Sequence, residues 1–414
     1  MSGASATEPL RLLVLATTFP ARAGDGTPEF VLTLSAALAA AGVEVHAVVP
    51  RVPGAPAREV VEGVDVRRFA YFPRRFEGLA HGAIMANLRA QRWRAAEAPP
   101  LVAAFGAAAR REVRRVRPHV VHAHWLVPAG LVALGLRRTA GVPYVVTAHG
   151  ADAYTLRSAA ALRAKRAVVA GAAATVPVSA AIGEALAPLG PVAAPIPMGV
   201  DVVRIAAEVG LRAPEPGRVL FVGRLVEKKG VDVLLRALAL VPEAGAVVVG
   251  DGPARPTLEA LAAELGLGGR ARFLGQQPRA AVMAELARAA VVALPSQVGA
   301  GGDQDGTPVV LGEAVAAGVP VVASDLGGLS EHVADGETGW VVPPGSVEAL
   351  AAALRDTVAD PAEAGRRAAA ARAALAGTLD LASVARRYRS VLEAAAHRAP
   401  RPGPAGVGAG LDAG

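Results

Sequence analysis

The 414-residue chain contains no cysteine, and only 4% of its residues are aromatic. The absence of cysteine excludes a disulfide scaffold, a thiolate zinc site and a cysteine nucleophile, and it fits a reducing compartment. Because aromatic residues are scarce, the interior must be built from Ala, Val and Leu. Hydrophobic residues still make up 53% of the chain, which is enough for large cores and excludes a disordered protein.

Long apolar runs are also missing. The longest weakly charged stretch, at 168–183, is too short for a membrane span and contains Pro177. No basic segment precedes an apolar run near the first residue, so we expect no export signal and a cytoplasmic protein. The formal net charge of +7 favours anionic partners. Nucleic acid is disfavoured among them, because basic and aromatic residues are not interleaved.

Short apolar segments alternate with Ala-rich helical segments along the chain. Apolar segments without an alternating pattern are typical of parallel strands covered on both faces. The sequence therefore predicts an α/β protein of two doubly wound parallel-sheet domains, since its length exceeds one ordinary core. Because Pro and Gly gather at 198–217, we place the domains at 1–200 and 201–397, with a disordered tail at 398–414. The predicted strands are 10–16, 43–49, 64–70, 119–125, 144–149, 174–179, 218–223, 245–250, 271–275, 290–295 and 319–324.

The tetrapeptide DGTP occurs twice, at 25–28 and at 305–308, each time between a predicted strand and a predicted helix. Thr favours the N-cap of a helix and Pro its first residue, so each copy predicts a helix that starts at its proline. The free N–H groups of such a helix, facing the carboxyl end of a sheet, attract an anion. The alternative is that both copies are only good capping sequences.

A basic turn follows the first predicted strand of the second domain, in FVGRLVEKKG at 221–230. Arg224 and Lys229 lie at the carboxyl end of this strand, and Gly223 and Gly230 free the backbone around them. Two cations so placed are suited to a diphosphate. A short basic turn of this kind can also be simply solvated.

Carboxylates and glycines recur in the segment 298–346. Asp305 precedes a predicted helix and Glu313 lies about a turn and a half inside it, so the two would contact different parts of a long ligand. Gly327–Gly328 follow a further strand, and Glu331 comes after them. Taken alone, Glu331 could equally be a solvated surface residue.

Together these segments resemble the donor domain of the retaining glycosyltransferases of family four. The resemblance rests on GRLVEKKG, on the D-x7-E spacing in DGTPVVLGEA and on AAGVPVVASDLGG with its following Glu. It extends to TAHGADAY, PVSAAIGEAL, PMGVD and VVGDGPARPTLEALAAELGL, and so covers most of 10–395. It implies the GT-B architecture, in which two Rossmann-like domains face each other across a cleft. It also implies sugar transfer from a nucleotide-diphosphate sugar to an acceptor, with no further cofactor.

By the same resemblance, the second domain binds the donor. Arg224 and Lys229 would hold its diphosphate, Glu313 its ribose hydroxyls and Asp305 the transferred sugar. The family usually has Glu at the position of Asp305, which has the same charge but a side chain shorter by one carbon. The other implied donor-site residues are Gly223, Gly306, Thr307 and Pro308.

The first domain is implied to hold the acceptor. His149, at a strand end, would lie near the reacting sugar, and we expect Gly24, Asp25 and Gly26 on the acceptor side. Negative charge develops on the phosphate oxygens as the glycosidic bond breaks, so fixed cations that meet this charge are the main catalytic resource. The implied catalytic residues are His149, Arg224, Lys229 and Asp305.

Other candidate sites are less specific. Asp303 and Asp305 could ligate a metal ion, but the carboxylate-rich loop that Mg²⁺ needs is missing, so we expect a metal-independent enzyme. His122 and His124 alternate along a strand without a third ligand, and we interpret them as cleft-lining or core residues. The segment GDGPARP at 250–256 lacks the third glycine of a dinucleotide-binding fingerprint, so an NAD-binding role is disfavoured.

Arginines cluster in RREVRRVR at 110–117, where Arg110, Arg114 and Arg117 would share one helix face. This cluster is either an ordinary solvated face or a surface that docks at the inner face of an anionic membrane carrying a lipid-linked acceptor. Further arginines upstream are Arg74, Arg75, Arg89, Arg92 and Arg94.

Two alternatives to a transferase remain. A nucleotide-sugar epimerase or a phosphorylase of the same architecture would turn over the donor without an acceptor, or would use free phosphate. A two-domain sugar-binding protein would close on its ligand without chemistry, although the phosphate-directed cations argue against it. No motif identifies the base, the sugar or the acceptor.

Overall fold

The computed structural model describes residues 8–21, 27–82, 84–304, 306–375 and 377–398. Within these residues the strands form two sheets, one in each half of the chain. The first sheet contains β1 Arg11–Leu15, β2 Glu44–Pro50, β3 Arg58–Val61, β4 Val64–Phe69, β5 Val120–His124, β6 Tyr144–Ala148 and β7 Ala174–Pro177. The second contains β8 Arg218–Val222, β9 Gly245–Val249, β10 Ala271–Gly275, β11 Val291–Leu294, β12 Val321–Ser324 and β13 Trp340–Val342.

Helices cover both faces of the sheets. Those of the first half are α1 Phe30–Ala40, α2 Ile84–Ala90, α3 Ala98–Val116, α4 Leu131–Ala140, α5 Gly150–Tyr154, α6 Ala159–Gly171 and α7 Ala180–Leu186. Those that follow are α8 Val202–Val209, α9 Val231–Ala239, α10 Arg255–Glu264, α11 Arg279–Arg288, α12 Val309–Ala316, α13 Val347–Ala359, α14 Pro361–Leu375 and α15 Leu381–His397.

The strand orders are β3-β4-β2-β1-β5-β6-β7 and β10-β9-β8-β11-β12-β13. All neighbouring strands are parallel except the β3–β4 pair. The chain changes direction across each sheet beside its first strand, between β1 and β5 and between β8 and β11. Ligands of such sheets bind at the carboxyl ends of the strands next to this switch point. The predicted fold class is confirmed.

The cores consist mainly of aliphatic side chains, as the composition predicts. Leu12, Leu13, Val14 and Leu15 of β1 are each 0% exposed. Burying one such side chain contributes roughly 1.5–3 kcal/mol, so each central strand contributes several such increments. Because these strands are apolar on both faces, their sequences are continuous apolar runs.

The final helix, α15, returns from the second half of the chain to the first. Val384, Tyr388 and Leu392 lie in the core of the first sheet, and the Tyr388 hydroxyl donates to the Ile196 carbonyl oxygen at 3.4 Å. The sequence-based division placed this helix in the second domain, whereas the structure packs it on the first. The spacing of apolar residues predicts that a helix has a buried face, but it does not predict which of the two hydrophobic cores that face packs against. The boundary at 200 stays a prediction, and the predicted tail lies outside the described residues from 399 onward.

The helices after the two DGTP segments begin later than the sequence predicts. The N-cap is Glu29 in α1 and Pro308 in α12, and among the described residues neither helix has a side-chain cap at this position. The prediction that Thr27 and Thr307 cap these helices is therefore wrong. Thr307 lies one residue before the N-cap, and its hydroxyl instead lies 3.5 Å from the Gly328 carbonyl oxygen.

Candidate active site

Three loops meet at the carboxyl ends of the central strands of the second sheet. Gly230, which ends the basic turn, has φ +63, and a Cβ there would collide with the Pro295 carbonyl oxygen after β11. Gly250, after β9, has φ +131, and a Cβ there would collide with the Gly223 carbonyl oxygen. Glycine is therefore required for the loops after β8, β9 and β11 to pack together.

The basic turn brings its two predicted phosphate ligands to this edge. Lys229 is half-buried, and its Cε lies 3.7 Å from where a Cβ on Gly223 would be, so its side chain runs along the glycine backbone. Arg224 is exposed. Within the described part of the chain, its guanidinium has no recorded hydrogen bond or ion pair. Both cations can therefore reach a ligand above β8.

The loop before the second DGTP segment is fixed to the basic turn. Lys228 Nζ donates to Asp303 Oδ1 at 3.0 Å and to the Gln304 carbonyl oxygen at 3.1 Å. Glu227 Oε2 accepts from the Ala300 N–H at 2.9 Å. Asp303 thus has a cationic partner, and Asp305 lies outside the described residues.

The second DGTP segment contacts the first domain. A Cβ on Gly306 would lie 3.1 Å from Ile182 Cδ1, and one on Gly328 would lie 3.0 Å from Ser179 Cβ. A Cβ on Gly328 would also collide with Thr307 Oγ1. Gly306, which was predicted for the donor site, and Gly328 therefore lie where the two domains come close together.

Glu331 links the domains directly. Its carboxylate accepts from the backbone N–H groups of Ala180 at 2.8 Å and Ala181 at 2.9 Å, in the first turn of α7. A carboxylate is favoured there because the N–H groups at a helix start are unsatisfied and the helix dipole is positive. The residue is exposed, but it is an interdomain contact and not merely solvated.

Glu313 lies in an ion-pair network that the sequence did not reveal. Arg279 Nη1 donates to Glu313 Oε1 at 2.9 Å, and Arg279 Nε donates to Glu208 Oε2 at 2.9 Å. Burial raises the pKa of Glu313, while Arg279 opposes the rise and the charge of Glu29 adds to it.

His149 is held at the N-cap of α5, directly after β6. Its backbone N–H donates to Asp152 Oδ2 at 2.9 Å, and the other oxygen of Asp152 accepts from the Leu126 N–H at 2.8 Å. The His149 ring lies 4.8 Å from the Trp125 ring and 5.1 Å from the Phe30 ring, centroid to centroid. Both its backbone and its ring are thus fixed.

The environment of His149 keeps its imidazole neutral. Burial lowers the pKa of His149 to about 3. The neighbouring Gly150 nitrogen lies 3.6 Å from where a Cβ on Gly306 would be, so the His149 loop faces the second DGTP segment. The structure therefore brings His149 together with the predicted donor loops, whereas Gly24, Asp25 and Gly26 lie outside the described residues.

Several functional candidates were not predicted from the sequence. Asp152 is buried, and burial raises its pKa to about 7. The buried Lys165 donates to the carbonyl oxygens of Asp152 and Thr155. A carboxylate three residues after a predicted strand-end histidine could have suggested Asp152. No comparable signal marks Phe30 or Trp125, since their partner is distant in sequence.

Only one group of possible metal ligands occurs among the described residues, and it lies away from the cleft: His46, Asp65 and Glu112. Arg115 Nη2 donates to Asp65 Oδ2 at 2.8 Å, lies 3.1 Å from His46 Nδ1 and also bonds Glu112. The guanidinium therefore already serves as the cation of this cluster, which forms an ion-pair network.

Comparison with known proteins agrees with this architecture. The family described as Glycosyltransferase Family 4 matches residues 24–204, and that described as Glycosyl transferases group 1 matches residues 205–374. A glycogen synthase of Mycobacterium tuberculosis is 32% identical over 428 residues, covering 95% of this chain and 97% of that protein. The chain belongs to glycosyltransferase family four. The predicted family and enzyme class are confirmed.

Other relatives of this family-four enzyme match in part or in fold. A GDP-mannose-dependent alpha-(1-6)-phosphatidylinositol monomannoside mannosyltransferase of Mycolicibacterium smegmatis is 40% identical over 188 residues, 42% of this chain and 48% of its own. The structure of sucrose-phosphate synthase from Thermosynechococcus elongatus has a TM-score of 0.72 at 25% identity, covering 93% of this chain and all of the other. Anabaena Alr3699/HepE in complex with UDP-glucose has a TM-score of 0.69 at 21% identity, covering 93% of this chain and 99% of the other. These similarities confirm the GT-B fold.

Proposed function

We propose that this enzyme is a retaining glycosyltransferase that moves a sugar from a nucleotide-diphosphate sugar, held by the second domain, to an acceptor held by the first. The convergence of three features carries the proposal. The cations Arg224 and Lys229 lie at the edge of β8, and the neutral His149 lies at the edge of β6. The second DGTP segment contacts the His149 loop between them.

The donor assignment is supported by charge. A nucleoside diphosphate brings at least two negative charges, and the exposed guanidinium of Arg224 has no recorded partner among the described residues that it would have to give up. The relatives named for GDP-mannose dependence and for a UDP-glucose complex are consistent with a donor of this class. The family resemblance supports retention of the anomeric configuration.

We propose that transfer needs no metal ion and no cofactor besides the donor. As the bond from the sugar to the diphosphate breaks, the fixed cations meet the growing charge on the leaving oxygens. Asp303, one of the two possible metal ligands in the loop, is bonded to Lys228. Its charge is therefore compensated within the protein.

The experiment is a thermal-shift screen of UDP-, GDP- and ADP-sugars, because a ligand that binds only the folded state raises the melting temperature. The stabilising donor is then incubated with candidate acceptors in the presence of EDTA, and the product anomer is determined by NMR. We expect transfer with retained configuration. Isomerised donor without acceptor would indicate an epimerase, dependence on inorganic phosphate a phosphorylase, and binding without turnover a sugar-binding protein.

We also propose peripheral contact with an anionic membrane through a surface formed by Arg75, Phe76, Trp93 and Arg94, the rim patch. Phe76 is 46% and Trp93 49% exposed, and their rings meet edge to face with centroids 6.4 Å apart. The exposed Arg75 lies over Phe76 at 4.7 Å, and Arg94 lies over Trp93 at 5.0 Å. Arg94 also pairs with the buried Glu97 at 2.9 Å, so Arg75 is the cation of the patch that faces anionic headgroups.

The location of the rim patch favours a lipid-linked acceptor. The patch lies between β4 and α3, next to the carboxyl edge of the first sheet. Exposed aromatic rings with arginines beside them are typical of surfaces that sit at the headgroup level of a bilayer. Of the arginines predicted to share a helix face, Arg110 and Arg114 are exposed on α3, whereas Arg117 lies at its C-cap. No described helix is both long and apolar enough to span a bilayer.

Vesicle flotation tests this contact. We expect binding to vesicles that contain phosphatidylglycerol and not to neutral vesicles, and we expect the double variant Phe76→Ala, Trp93→Ala to lose it. Leu211→Ala is the matched control, because Leu211 is 98% exposed in the other half of the chain. Equal flotation of the double variant and the wild type would contradict the proposal, as would no binding of the wild type to anionic vesicles.

A further inference from the structure

A chain of buried polar side chains leads from His149 into the first domain. His122 and His124, both on β5 and each 1% exposed, have their ring centroids 4.3 Å apart. His122 Nε2 lies 2.7 Å from Thr147 Oγ1, which lies 3.2 Å from the Tyr388 hydroxyl on α15. The sequence-based interpretation of the two histidines as cleft-lining or core residues agrees with their burial, but each also lies within hydrogen-bond distance of a further polar side chain, Thr147 for His122 and His149 for His124.

The direction of these hydrogen bonds follows from the last contact of the series, between Tyr388 and Ile196. The Ile196 carbonyl oxygen can only accept, so the Tyr388 hydroxyl donates to it. The Thr147 hydroxyl then donates to Tyr388 and must accept from His122. His122 therefore carries its proton on Nε2, and its Nδ1 is a buried nitrogen without a partner in the described part of the chain.

His124 contacts His122 only through its ring, but it lies within hydrogen-bond distance of His149. Its Nδ1 lies 3.3 Å from His149 Nε2, and the two rings are inclined by only 24°. Burial lowers the pKa of His124 well below its usual range and that of His122 and His149 to about 3, so all three rings are neutral near pH 7. Between two neutral rings, one nitrogen must donate and the other accept. The tautomer of His149 is therefore linked to that of His124.

A packing role alone does not explain His124. Its Nε2 is buried without a recorded partner among the described residues, and an unsatisfied buried polar atom destabilises a fold. An apolar residue of similar size would fill the same space without this cost. Polar residues that violate the packing rules in this way are expected at functional sites.

We propose that His124 is a positioning residue of the transfer reaction, whose Nδ1 holds the His149 ring in one orientation and one tautomer at the cleft. The inference rests on the proposed function, because it takes His149 to be the group beside the reacting sugar. His124 itself touches neither donor nor acceptor. Its effect is therefore expected on turnover and not on donor binding.

The test compares His124→Leu with His124→Asn, because the Asn amide can place a polar atom near the position of Nδ1. We expect His124→Leu to lower kcat at least tenfold with the KM for the donor changed less than twofold, and His124→Asn to recover most of kcat. Val121→Ala is the matched control, since Val121 is buried on the same strand and faces the opposite side of the sheet. Val121→Ala should alter the stability of the fold without a tenfold loss of kcat.

Histidine ¹⁵N spectra of the wild type give a readout that does not depend on any variant folding. We expect His122 as the Nε2–H tautomer and His149 as a single tautomer. A spectrum with His149 in exchange between tautomers would overturn the inference.

The outcomes separate this inference from the proposed function. If His149→Ala lacks turnover while His124→Leu keeps kcat within twofold of the wild type, the positioning role is wrong and the proposed function stands. Failure of His124→Asn to exceed His124→Leu would also overturn the role. If His149→Ala turns over normally, the assignment of His149 fails, and the role of His124 fails with it.

Discussion

The two DGTP segments have the same four residues and the same place between a strand end and a helix, yet their surroundings differ. The helix after the first begins with Phe30, whose ring packs on His149 at 5.1 Å. The helix after the second carries Glu313, which bonds Arg279. The repeated motif thus marks where a helix approaches the edge of a sheet. The chemistry of each region comes from residues that follow the motif and are not repeated.

The same comparison shows how the regions cooperate. Phe30, at the start of α1, packs on His149, and Gly306, just before α12, faces the neighbouring Gly150. Both helices therefore border one cleft. We expect the first region to govern the reacting centre and the second to govern the donor, and the predictions below test that division.

The largest effect is expected on the donor side, from removal of the cations. Arg224→Ala and Lys229→Ala should each lower kcat roughly 100-fold or more, because loss of one group that stabilises transition-state charge costs about 3 kcal/mol. The melting temperature should change less in Arg224→Ala than in Lys229→Ala, since Arg224 is exposed and Lys229 is half-buried. Steady-state kinetics and thermal unfolding measure the two effects.

The control for these variants is Arg236→Ala, which removes an exposed arginine from the same domain, on α9. It should leave kcat unchanged. Near-normal kcat in both Arg224→Ala and Lys229→Ala would remove the diphosphate assignment.

The first region should be the acid-sensitive one. The pKa values of His122, His124 and His149 are lower in the folded protein than in the unfolded chain. Below about pH 6.5 the unfolded chain therefore binds more protons than the folded protein, and the free energy of unfolding decreases as the pH falls towards 3. The raised pKa of Asp152 has the opposite effect. Between about pH 4 and pH 7 the folded protein binds the extra proton, so this residue increases the free energy of unfolding as the pH falls. From pH 7 to pH 5, His122 and His149 each lower the stability by about 2 kcal/mol and Asp152 raises it by about 2 kcal/mol. His124 adds a loss in the same direction as the other two histidines, so we expect a net loss.

Urea unfolding at pH 7 and pH 5 measures this loss. The variant His122→Phe removes one of the three histidine contributions and should show a smaller difference between the two pH values. Equal or greater stability of the wild type at pH 5 would contradict the burial of the three neutral rings.

Phe30→Ala tests whether the first DGTP helix acts through His149. Removing the ring opens space beside the imidazole, so we expect kcat to fall about tenfold, which corresponds to roughly 1.4 kcal/mol, with donor affinity unchanged. Kinetics and donor titration check both parts. A loss of donor affinity without a loss of kcat would place Phe30 on the donor side instead.

The smallest effect is expected from the contact between the domains. Glu331→Ala removes two hydrogen bonds at the start of α7, each worth about 1 kcal/mol net, so we expect the KM for the donor to rise several-fold. Glu337→Ala is a control, because Glu337 is another exposed glutamate of the same domain. A KM equal to that of the wild type would mean that the contact between the domains does not contribute to donor binding.

Local sequence patterns predicted much of the fold. Every one of the eleven predicted strands is present, because buried parallel strands are short apolar runs bounded by turns. The strands β3 and β13 were missed: β3 is a half-exposed edge strand with alternating residues, and β13 has only three residues. Neither has the continuous apolar pattern on which the prediction relied.

The contacts that build the site could not be predicted in the same way. Arg279 and Glu313 are 34 residues apart, Lys228 and Asp303 are 75 apart, and Glu331 and Ala180 are 151 apart. Such pairs are set by the packing of whole elements, and no local spacing encodes them. The family motifs therefore led to candidate residues, whereas their partners required the structure.

Calorimetric titration with the stabilising nucleotide sugar tests the division between the two regions most directly. Glu313→Ala should weaken donor binding about tenfold or more, while Asp25→Ala in the first DGTP segment should leave it nearly unchanged. Arg279→Ala is the matched control, since it breaks the ion pair with Glu313 but keeps the carboxylate, and it should bind the donor better than Glu313→Ala. Loss of donor binding in Asp25→Ala with normal binding in Glu313→Ala would show that the donor has been assigned to the wrong domain.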